Sequence, residues 1–430
     1  MTRDEIVALD KRYVWHPYTP MRRYIDEVDP FVVVRAEGPY LFDADGRRYI
    51  DANSSWWVAG LGHGHPRLVA ALADQARTLA HVSLAGVAHG PASRLAERLA
   101  EVAPPGLTKV FYSDDGSTAL EAAIKMVLGY HRHRGDAGRR RFVSLGGAFH
   151  GETLGVTALG GVELFRRPFA DVLMRVDFIP PPARDEAPGG PASVALEALV
   201  ENGRDIAAFV VEPLVQAAGG MRMYSPWYLE ALRRACDRIG AILIIDEVFT
   251  GYGRTGTFWA SGSANVSPDI LCTAKSFSGG MLPMAATLVS DKVFDAFLGS
   301  PEQAFYYGHS FCGNPLGARV ALEVLDVFRD ERVMEGVAER ARRIDAAFTR
   351  MGSIAGTRNA RALGMIGAID LADADYLGRA GWRVHEEARR RGAYVRPLGD
   401  VVYIAPPINI PLDALDELLS TVEASLRAAL

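Results

Sequence analysis

Cysteine is scarce in this chain, whose 430 residues contain three: Cys236, Cys272 and Cys312. Their spacing matches no zinc-binding pattern and so few thiols do not suit a disulfide-held scaffold, so we expect no metal site. Long hydrophobic runs are also lacking, since none approaches the roughly 20 apolar residues of a membrane helix. The start, MTRDEIVALDKR, has alternating charges and no apolar core, unlike an ordinary signal peptide. We therefore expect a cytoplasmic protein without a membrane partner.

An excess of either charge is absent as well. Lys and Arg number 47 against 52 Asp and Glu, a net charge of −5, and the arginines are scattered along the chain. Surfaces that bind nucleic acid or anionic membranes need clustered basic residues, so we expect no nucleic-acid partner. What the chain does have is an ordinary apolar fraction of 49% and a length that predicts two or three domains.

One stretch, residues 241–280, combines two apolar runs with polar residues at their ends. The run Ala241–Ile245 is typical of a strand buried on both faces of a parallel sheet, and it stops at Asp246. A second run, Ile270–Cys272, leads to Lys275 and then to small, flexible residues. In open α/β sheets, ligands bind outside the carboxyl ends of the strands. Both polar residues are therefore predicted at such an edge.

The order of the neighbouring elements is that of a doubly wound α/β domain. Buried strands are predicted at Phe142–Leu145 and Ala207–Val211, and a helix over Trp227–Ile239 leads into the strand that ends at Asp246. Met284–Ser290 is predicted to form an antiparallel edge strand.

An acid and a lysine at strand ends suit pyridoxal phosphate (PLP) chemistry. The lysine can bond covalently to the aldehyde of PLP, and the carboxylate can keep the pyridine nitrogen protonated so that the ring withdraws electrons. The pair alone leaves open a second interpretation, in which Asp246 caps a loop and Lys275 is a solvated side chain. A nicotinamide dehydrogenase lacks support, because no G-x-G-x-x-G follows a strand in the way that its fingerprint requires.

The segments IIDEVFTGYGRTG (244–256) and DILCTAKSFSGG (269–280) resemble the core of the class III, or ω-amino, aminotransferases. The resemblance covers nearly the whole chain. It implies an α/β protein of PLP-dependent transferase fold type I, with a large, doubly wound, mostly parallel sheet. Residues 64–328 would form the PLP-binding domain, and residues 1–63 and 329–430 a smaller α/β lobe built from both chain ends.

The resemblance implies two catalytic residues. Lys275 would hold PLP and, once displaced, move the proton between substrate and cofactor, and Asp246 would pair with the pyridine nitrogen. The reaction would be ping-pong, in which a donor amine first aminates the cofactor and the cofactor then aminates a ketone. A catalytically silent PLP-fold binding protein is the alternative from another class.

A turn that enters a helix is a second feature of the cofactor site. Residues 113–118 precede a predicted helix over Ala119–His131, and Thr118 with Glu121 predicts a capping box. Unpaired N–H groups at a helix start suit a phosphate, although most such turns are ordinary caps. By resemblance, the cofactor contacts of this chain are Gly116, Ser117, Phe149, His150, Glu212 and Val248. A homodimer is implied, in which the other subunit supplies its own Gly308, His309 and Ser310.

Three stretches are similar to the members of this family that aminate 8-amino-7-oxononanoate with S-adenosylmethionine in biotin synthesis. They are WHPYT (15–19), SSWW (54–57) and VVEPLVQAAGGMRMY (210–224). The implied substrate contacts are Tyr18, Trp56, Trp57, Phe149, Arg254, Gly308, Arg396 and Tyr403. Arg396 is expected to clamp a carboxylate, because arginine can donate two parallel hydrogen bonds to it. Two alternatives stay open: lysine as the donor, or transfer between an ω-amino acid or diamine and pyruvate.

Overall fold

The structure, a computed structural model, describes residues 1–372 and 375–430. Its β-strands in chain order are β1 (Val33–Glu37), β2 (Tyr40–Asp43), β3 (Arg48–Asp51), β4 (Leu107–Ser113), β5 (Arg141–Leu145), β6 (Val176–Ile179), β7 (Ile206–Val211), β8 (Val215–Gln216), β9 (Arg222–Met223), β10 (Ile242–Asp246), β11 (Ile270–Thr273), β12 (Ala285–Ser290), β13 (Thr357–Leu363), β14 (Ile366–Leu371), β15 (Ala393–Tyr394) and β16 (Val401–Ile404). Its α-helices are α1 (Arg3–Tyr13), α2 (Met21–Glu27), α3 (Ser54–Trp57), α4 (Pro66–Thr78), α5 (Gly90–Val102), α6 (Gly116–His133), α7 (Leu154–Leu159), α8 (Glu163–Arg166), α9 (Pro191–Glu201), α10 (Trp227–Ile239), α11 (Asp291–Phe294), α12 (Pro315–Asp330), α13 (Val337–Met351), α14 (Ala380–Arg390) and α15 (Leu412–Ala429).

The largest sheet in the described residues has seven strands in the order β4-β12-β11-β10-β7-β5-β6. Strand β12 is antiparallel to both β11 and β4, and the other neighbours are parallel. The prediction that residues 284–290 run antiparallel is therefore confirmed, but their placement at an edge is wrong. The residues of β12 are almost all buried, whereas the edge strand β4 carries the polar Thr108 and Lys109, as edges commonly do.

Strand β10 is apolar on both sides because helices cover both faces of the sheet. Side chains alternate between the faces of a strand. Ile242 and Ile244 pack in one cluster with the buried side of α6, and Leu243 and Ile245 pack in another with that of α10. The continuous apolar run of this strand follows from that two-sided burial.

A second, four-stranded sheet has the order β1-β2-β3-β15. It joins strands from the two ends of the chain, because β15 pairs in parallel with β3. Strands β13, β14 and β16 form a third sheet. The small lobe expected from both termini is thus present, and its boundaries at residues 63 and 329 stay a prediction.

Two features are absent from the described residues. Between residues 1 and 372 and from 375 to 430, no helix is long and apolar enough to cross a membrane. The same ranges contain no group of three or more His, Cys, Asp or Glu residues that could hold a metal ion.

Candidate active site

A cavity of about 550 Å³ lies where several strands of the large sheet end. Its volume is within the range of roughly 300–1,000 Å³ that small-molecule sites occupy. Residues at or after the ends of β4, β5, β7, β10 and β11 line it, among them Asp115, Gly116, Ser117, Phe149, His150, Glu212, Asp246, Val248 and Lys275. The cavity therefore brings together the two predicted catalytic residues and six other predicted cofactor residues.

Asp246 is the last residue of β10, and its carboxylate is held on both oxygens. His150 Nδ1 donates to Oδ2 over 2.7 Å, and the Val248 N–H donates to Oδ1 over 3.0 Å. The neighbouring Glu247 accepts hydrogen bonds from Thr250 and Ser261 instead, so it fixes a loop outside the cavity. Of the two adjacent acids, Asp246 is the one that lines the site.

The imidazole of His150 is fully buried behind Asp246. Burial disfavours its charged form, but the hydrogen bond and the charge of Asp246 outweigh this and raise the pKa of His150 above its usual value. On its other side, Nε2 lies 3.4 Å from Ser144 Oγ. The ring therefore fixes the carboxylate of Asp246 in one orientation.

Lys275 lies two residues after the end of β11 and has a left-handed backbone, with φ of 52°. Among the described residues no hydrogen bond or ion pair holds its Nζ, which lies 4.8 Å from the centre of the Trp57 ring. Burial lowers the pKa of Lys275, while the carboxylates of Asp246 and Glu212 work in the opposite direction. An amine with a lowered pKa is a better nucleophile and proton acceptor at neutral pH.

Glu212 follows β7 and is a second buried acid in the cavity wall. Its carboxylate accepts the N–H groups of Phe149 over 3.0 Å and of Ala217 over 2.9 Å. Burial, with a contribution from the charge of Asp246, raises the pKa of Glu212 to about 7.

Helix α6 begins at Gly116, three residues before the predicted start. The capping box is therefore formed by Asp115 and Thr118, whose N–H donates to Asp115 Oδ1 over 2.9 Å. The predicted box of Thr118 with Glu121 is wrong, because Glu121 lies inside the helix and accepts the Thr153 hydroxyl. Gly116 is tightly placed, since an added Cβ would lie 2.8 Å from Val248 Cγ1. Gly116 and Ser117, the first two residues of this helix, line the cavity.

The adjacent indoles of α3 occupy different environments. All four residues of this turn, Ser54–Trp57, have φ between 45° and 73°, which costs about 1–2 kcal/mol for each non-glycine residue. Hydrogen bonds hold the turn, from Ser54 Oγ to the Ala405 carbonyl (2.8 Å) and from Ser55 Oγ to Asp51 (2.8 Å). As a result Trp57 is only 3% exposed beside Lys275, while Trp56 is 38% exposed at the cavity mouth.

Tyr18 lies at the mouth next to Trp56, with ring centres 5.3 Å apart. Its hydroxyl donates to Glu152, and burial together with this bond raises the pKa of Tyr18. Both residues line the cavity. The sequence interpretation missed Glu152, although it lies only three positions after Phe149 in the same turn.

Besides Gly308, three predicted substrate residues do not line the cavity. The Arg396 guanidinium lies 4.5 Å from the centre of the Trp56 ring. The Tyr403 hydroxyl accepts the Trp57 indole N–H over 3.1 Å, so this residue stands behind Trp57. Arg254 is buried and donates to the Pro406 carbonyl over 2.6 Å, and burial lowers its pKa to about 9.

The loop that contains Gly308, His309 and Ser310 also lies outside the chain's own cavity. Gly308 and Ser310 are exposed. His309 Nε2 is 2.9 Å from the Tyr307 hydroxyl, and its Nδ1 is 3.7 Å from Asp114, a residue of the cavity wall. The roles expected of these three residues stay predictions.

Two aromatic residues complete the mouth and were also missed. Phe165 lies edge-on to Phe149, with ring centres 5.7 Å apart, and Tyr376 lies edge-on to Phe165 at 5.1 Å. Both line the cavity. Neither is in a segment whose periodicity or motif marks it as part of a site.

Comparisons with known proteins agree with this geometry. The family model for class-III aminotransferases matches residues 24–426. The adenosylmethionine-8-amino-7-oxononanoate aminotransferase of Geobacter sulfurreducens is 38% identical, over 97% of this chain and 96% of the relative. The crystal structure of the enzyme of that name from Methanocaldococcus jannaschii has a TM-score of 0.95 at 33% identity and covers 99% of both chains. The ω-transaminase of Pseudomonas jessenii, in complex with PMP, has a TM-score of 0.92 at 28% identity, covering 98% of this chain and 97% of that one. This chain belongs to the class-III aminotransferases.

Proposed function

We propose that this protein transfers an amino group from S-adenosylmethionine to 8-amino-7-oxononanoate and so forms 7,8-diaminononanoate in biotin synthesis. Relatives similar over nearly the whole chain carry this activity in their names. The observation that carries the proposal is one cavity with a reactive lysine and a fixed carboxylate at its base and Trp56 at its mouth, with the Arg396 guanidinium beside that indole, 4.5 Å from the ring centre. Such a site suits a long, apolar substrate with a keto group near one end and a carboxylate at the other.

PLP is the cofactor of this family, and the residues of the cavity fit it. Gly116 and Ser117 would hold the phosphate at the start of α6, where the helix leaves N–H groups unpaired and a Cβ at Gly116 would collide with Val248. Asp246 would hold the pyridine nitrogen, and Phe149 and Val248 would contact the ring. When bound, PLP supplies an aldehyde that joins to amines and a ring that withdraws electrons.

The residues of the chain then divide the work of the reaction. Lys275 Nζ takes the proton from the donor carbon that bears nitrogen in the first half of the transfer, and in the second half it delivers a proton to the acceptor carbon that becomes bonded to nitrogen. Its lowered pKa favours the neutral amine that this step needs. Asp246, fixed by His150, keeps a proton on the ring nitrogen. The buried Trp57 lies beside Lys275 and excludes water from that side.

Substrate recognition is assigned to the cavity mouth. The Arg396 guanidinium binds the terminal carboxylate, for which its planar pair of N–H donors is suited. Trp56 and Tyr18 contact the aliphatic chain. Arg254 and Tyr403 lie behind the residues that line the cavity and support them. Arg254 donates a hydrogen bond to the Pro406 carbonyl, and Tyr403 accepts one from Trp57.

A homodimer with shared sites is part of the proposal. Gly308 and Ser310 are exposed on the subunit surface, and Tyr306 and Phe311 on either side of them are large, exposed aromatic residues. A surface of this kind favours burial against a second copy. In the dimer, the loop would complete the phosphate site of the other subunit. The expected cytoplasmic location stays a prediction.

A second candidate activity is the transfer of an amine between an ω-amino acid or diamine and pyruvate. The close structural similarity to an ω-transaminase favours it. The aromatic mouth with Arg396 would accept an ω-amino acid as well. Lysine in place of S-adenosylmethionine is the corresponding alternative for the donor.

A donor screen tests these proposals. Purified, PLP-loaded protein is incubated with 8-amino-7-oxononanoate and either S-adenosylmethionine, lysine or alanine, and products are read by mass. We expect 7,8-diaminononanoate with S-adenosylmethionine. If the product forms with lysine and not with S-adenosylmethionine, lysine is the amino donor. If 8-amino-7-oxononanoate is not aminated and an ω-amino acid reacts with pyruvate, the second activity is the correct one.

A further inference from the structure

Residues 50–53 lie at the junction of three segments that build the cavity mouth. Strand β3 pairs in parallel with β15, with Ile50 opposite Ala393 and Asp51 opposite Tyr394. The Ala52 N–H donates to the Tyr394 carbonyl over 3.0 Å, and the Ala405 N–H donates to the Ala52 carbonyl over 2.7 Å. The next residue, Asn53, is where the chain leaves this ladder and enters the left-handed turn α3.

At this point the main chain no longer pairs with its neighbours, and the side chain of Asn53 forms the hydrogen bonds to the two adjacent segments instead. Its Oδ1 accepts the Arg396 N–H over 2.6 Å, and its Nδ2 donates to the Tyr403 carbonyl over 3.2 Å. Its carbonyl accepts the Trp57 N–H over 2.8 Å, which closes the turn. With 2% exposure, this amide is buried and its bonds are not shared with bulk water.

These hydrogen bonds fix the position of the Arg396 backbone relative to the turn that carries Trp56. The Arg396 guanidinium lies over the Trp56 ring, so the backbone positions of both residues decide where the cation stands. Asn53 is bonded to the backbone of Arg396 and starts the turn that carries Trp56. A shift of the backbone at Arg396 would move the guanidinium off the ring and change its distance from the base of the cavity.

We propose that Asn53 is a positioning residue that fixes Arg396 against Trp56 and thereby sets the preference of the enzyme for substrates with a terminal carboxylate. The inference rests on the proposed function, in which Arg396 binds that carboxylate. Asn53 itself touches no reacting atom. Asparagine suits the position because it combines an acceptor for one N–H with a donor for one carbonyl, which neither alanine nor serine provides at this reach.

The test compares two acceptors that differ only at the end that Arg396 would bind. One is 8-amino-7-oxononanoate, and the other is its analogue with a methyl group in place of the carboxylate. For the wild-type protein and for N53A and N53S, kcat/KM is measured for both acceptors with S-adenosylmethionine as donor. A misplaced clamp should lower kcat/KM for the carboxylate substrate about tenfold to a hundredfold. For the methyl analogue we expect a change of less than about twofold, because it does not use Arg396.

The matched control is S55A, which removes a hydrogen bond from the same strained turn but none to Arg396. We expect it to lower kcat/KM for both acceptors by the same factor. Thermal unfolding and the visible absorbance of bound PLP show whether each variant is folded and loaded. N53S preserves more of the polar volume and is the variant on which the test rests if N53A does not fold.

The outcomes distinguish a failure of the proposed function from a failure of the proposed role of Asn53. A wild-type enzyme that does not prefer the carboxylate acceptor refutes the clamp in the proposed function. A wild-type enzyme that does prefer it, with N53S lowering both acceptors equally, overturns the role of Asn53 and leaves the proposed function standing. A selective loss for the carboxylate acceptor in N53S, absent in S55A, supports the proposal.

Discussion

Replacing His150 by glutamine should slow the reaction, whereas replacing it by asparagine should slow it much less. The reason lies in which ring nitrogen contacts Asp246. Nδ1 donates to the carboxylate over 2.7 Å, and Nε2 faces Ser144. The amide nitrogen of asparagine stands close to where Nδ1 stands, and that of glutamine close to where Nε2 stands. H150N therefore preserves the bond to Asp246, and H150Q loses it.

The size of the effect follows from the burial of this pair. A hydrogen bond to a charged group contributes about 1.5–3 kcal/mol, and both side chains are almost inaccessible to water. If this energy holds the carboxylate in its reactive orientation, its loss corresponds to about a 10- to 150-fold lower rate. We expect that loss in kcat for H150Q, with KM nearly unchanged.

Each variant is first dialysed and its folding is checked by circular dichroism. The assay is then a single turnover with the donor, in which the visible absorbance of the cofactor reports the rate. A rate for H150Q within about threefold of wild type would refute the reasoning, because the bond would then not orient Asp246. Equal losses in the two folded variants would also refute it, because the position of the donor would not matter.

Three further results are expected. Borohydride reduction and peptide mapping should label Lys275 with the cofactor in wild-type protein and leave K275A unlabelled; a label elsewhere would contradict the assigned attachment. The pKa of Glu212 is about 7 in the folded protein against an ordinary 4.5, so its contribution to stability is full below about pH 4.5 and falls by about 3 kcal/mol as pH rises to 7. E212Q apoprotein, which cannot ionise there, should therefore gain stability relative to wild type between pH 5 and pH 8 in urea unfolding, and a constant difference would contradict the pKa shift. R396K should raise the KM for 8-amino-7-oxononanoate about tenfold with little change in kcat, because lysine lacks the paired donors; an unchanged KM would show that the carboxylate binds elsewhere.

Much of the cavity base could be predicted because its signals are local. The apolar residues of β10 are buried on both faces, and the polar residue that ends such a run must leave the sheet. The same reasoning placed Lys275 after β11. The edge position of β12 was wrong because its pairing with β4, more than 170 residues earlier, leaves no local trace.

The cavity mouth was less predictable because its geometry depends on distant partners. No residue of Ser54–Trp57 is glycine, so the sequence gives no sign of a left-handed turn. The depth of Arg254 and Tyr403 follows from how the third sheet packs, and not from their own segments. Motif resemblance therefore predicted residues close to the site, but it did not distinguish those that line the cavity from those that lie behind the lining residues.

The left-handed turn also has a consequence for when the cavity mouth can fold during synthesis. It is unfavourable on its own, and its partners, the carbonyls of Tyr403 and Ala405, lie about 350 positions further along the chain. During synthesis from the N-terminus, the two indoles therefore have no fixed place until almost the entire polypeptide has left the ribosome. A nascent chain can complete the large sheet and still lack the entrance through which substrate is selected.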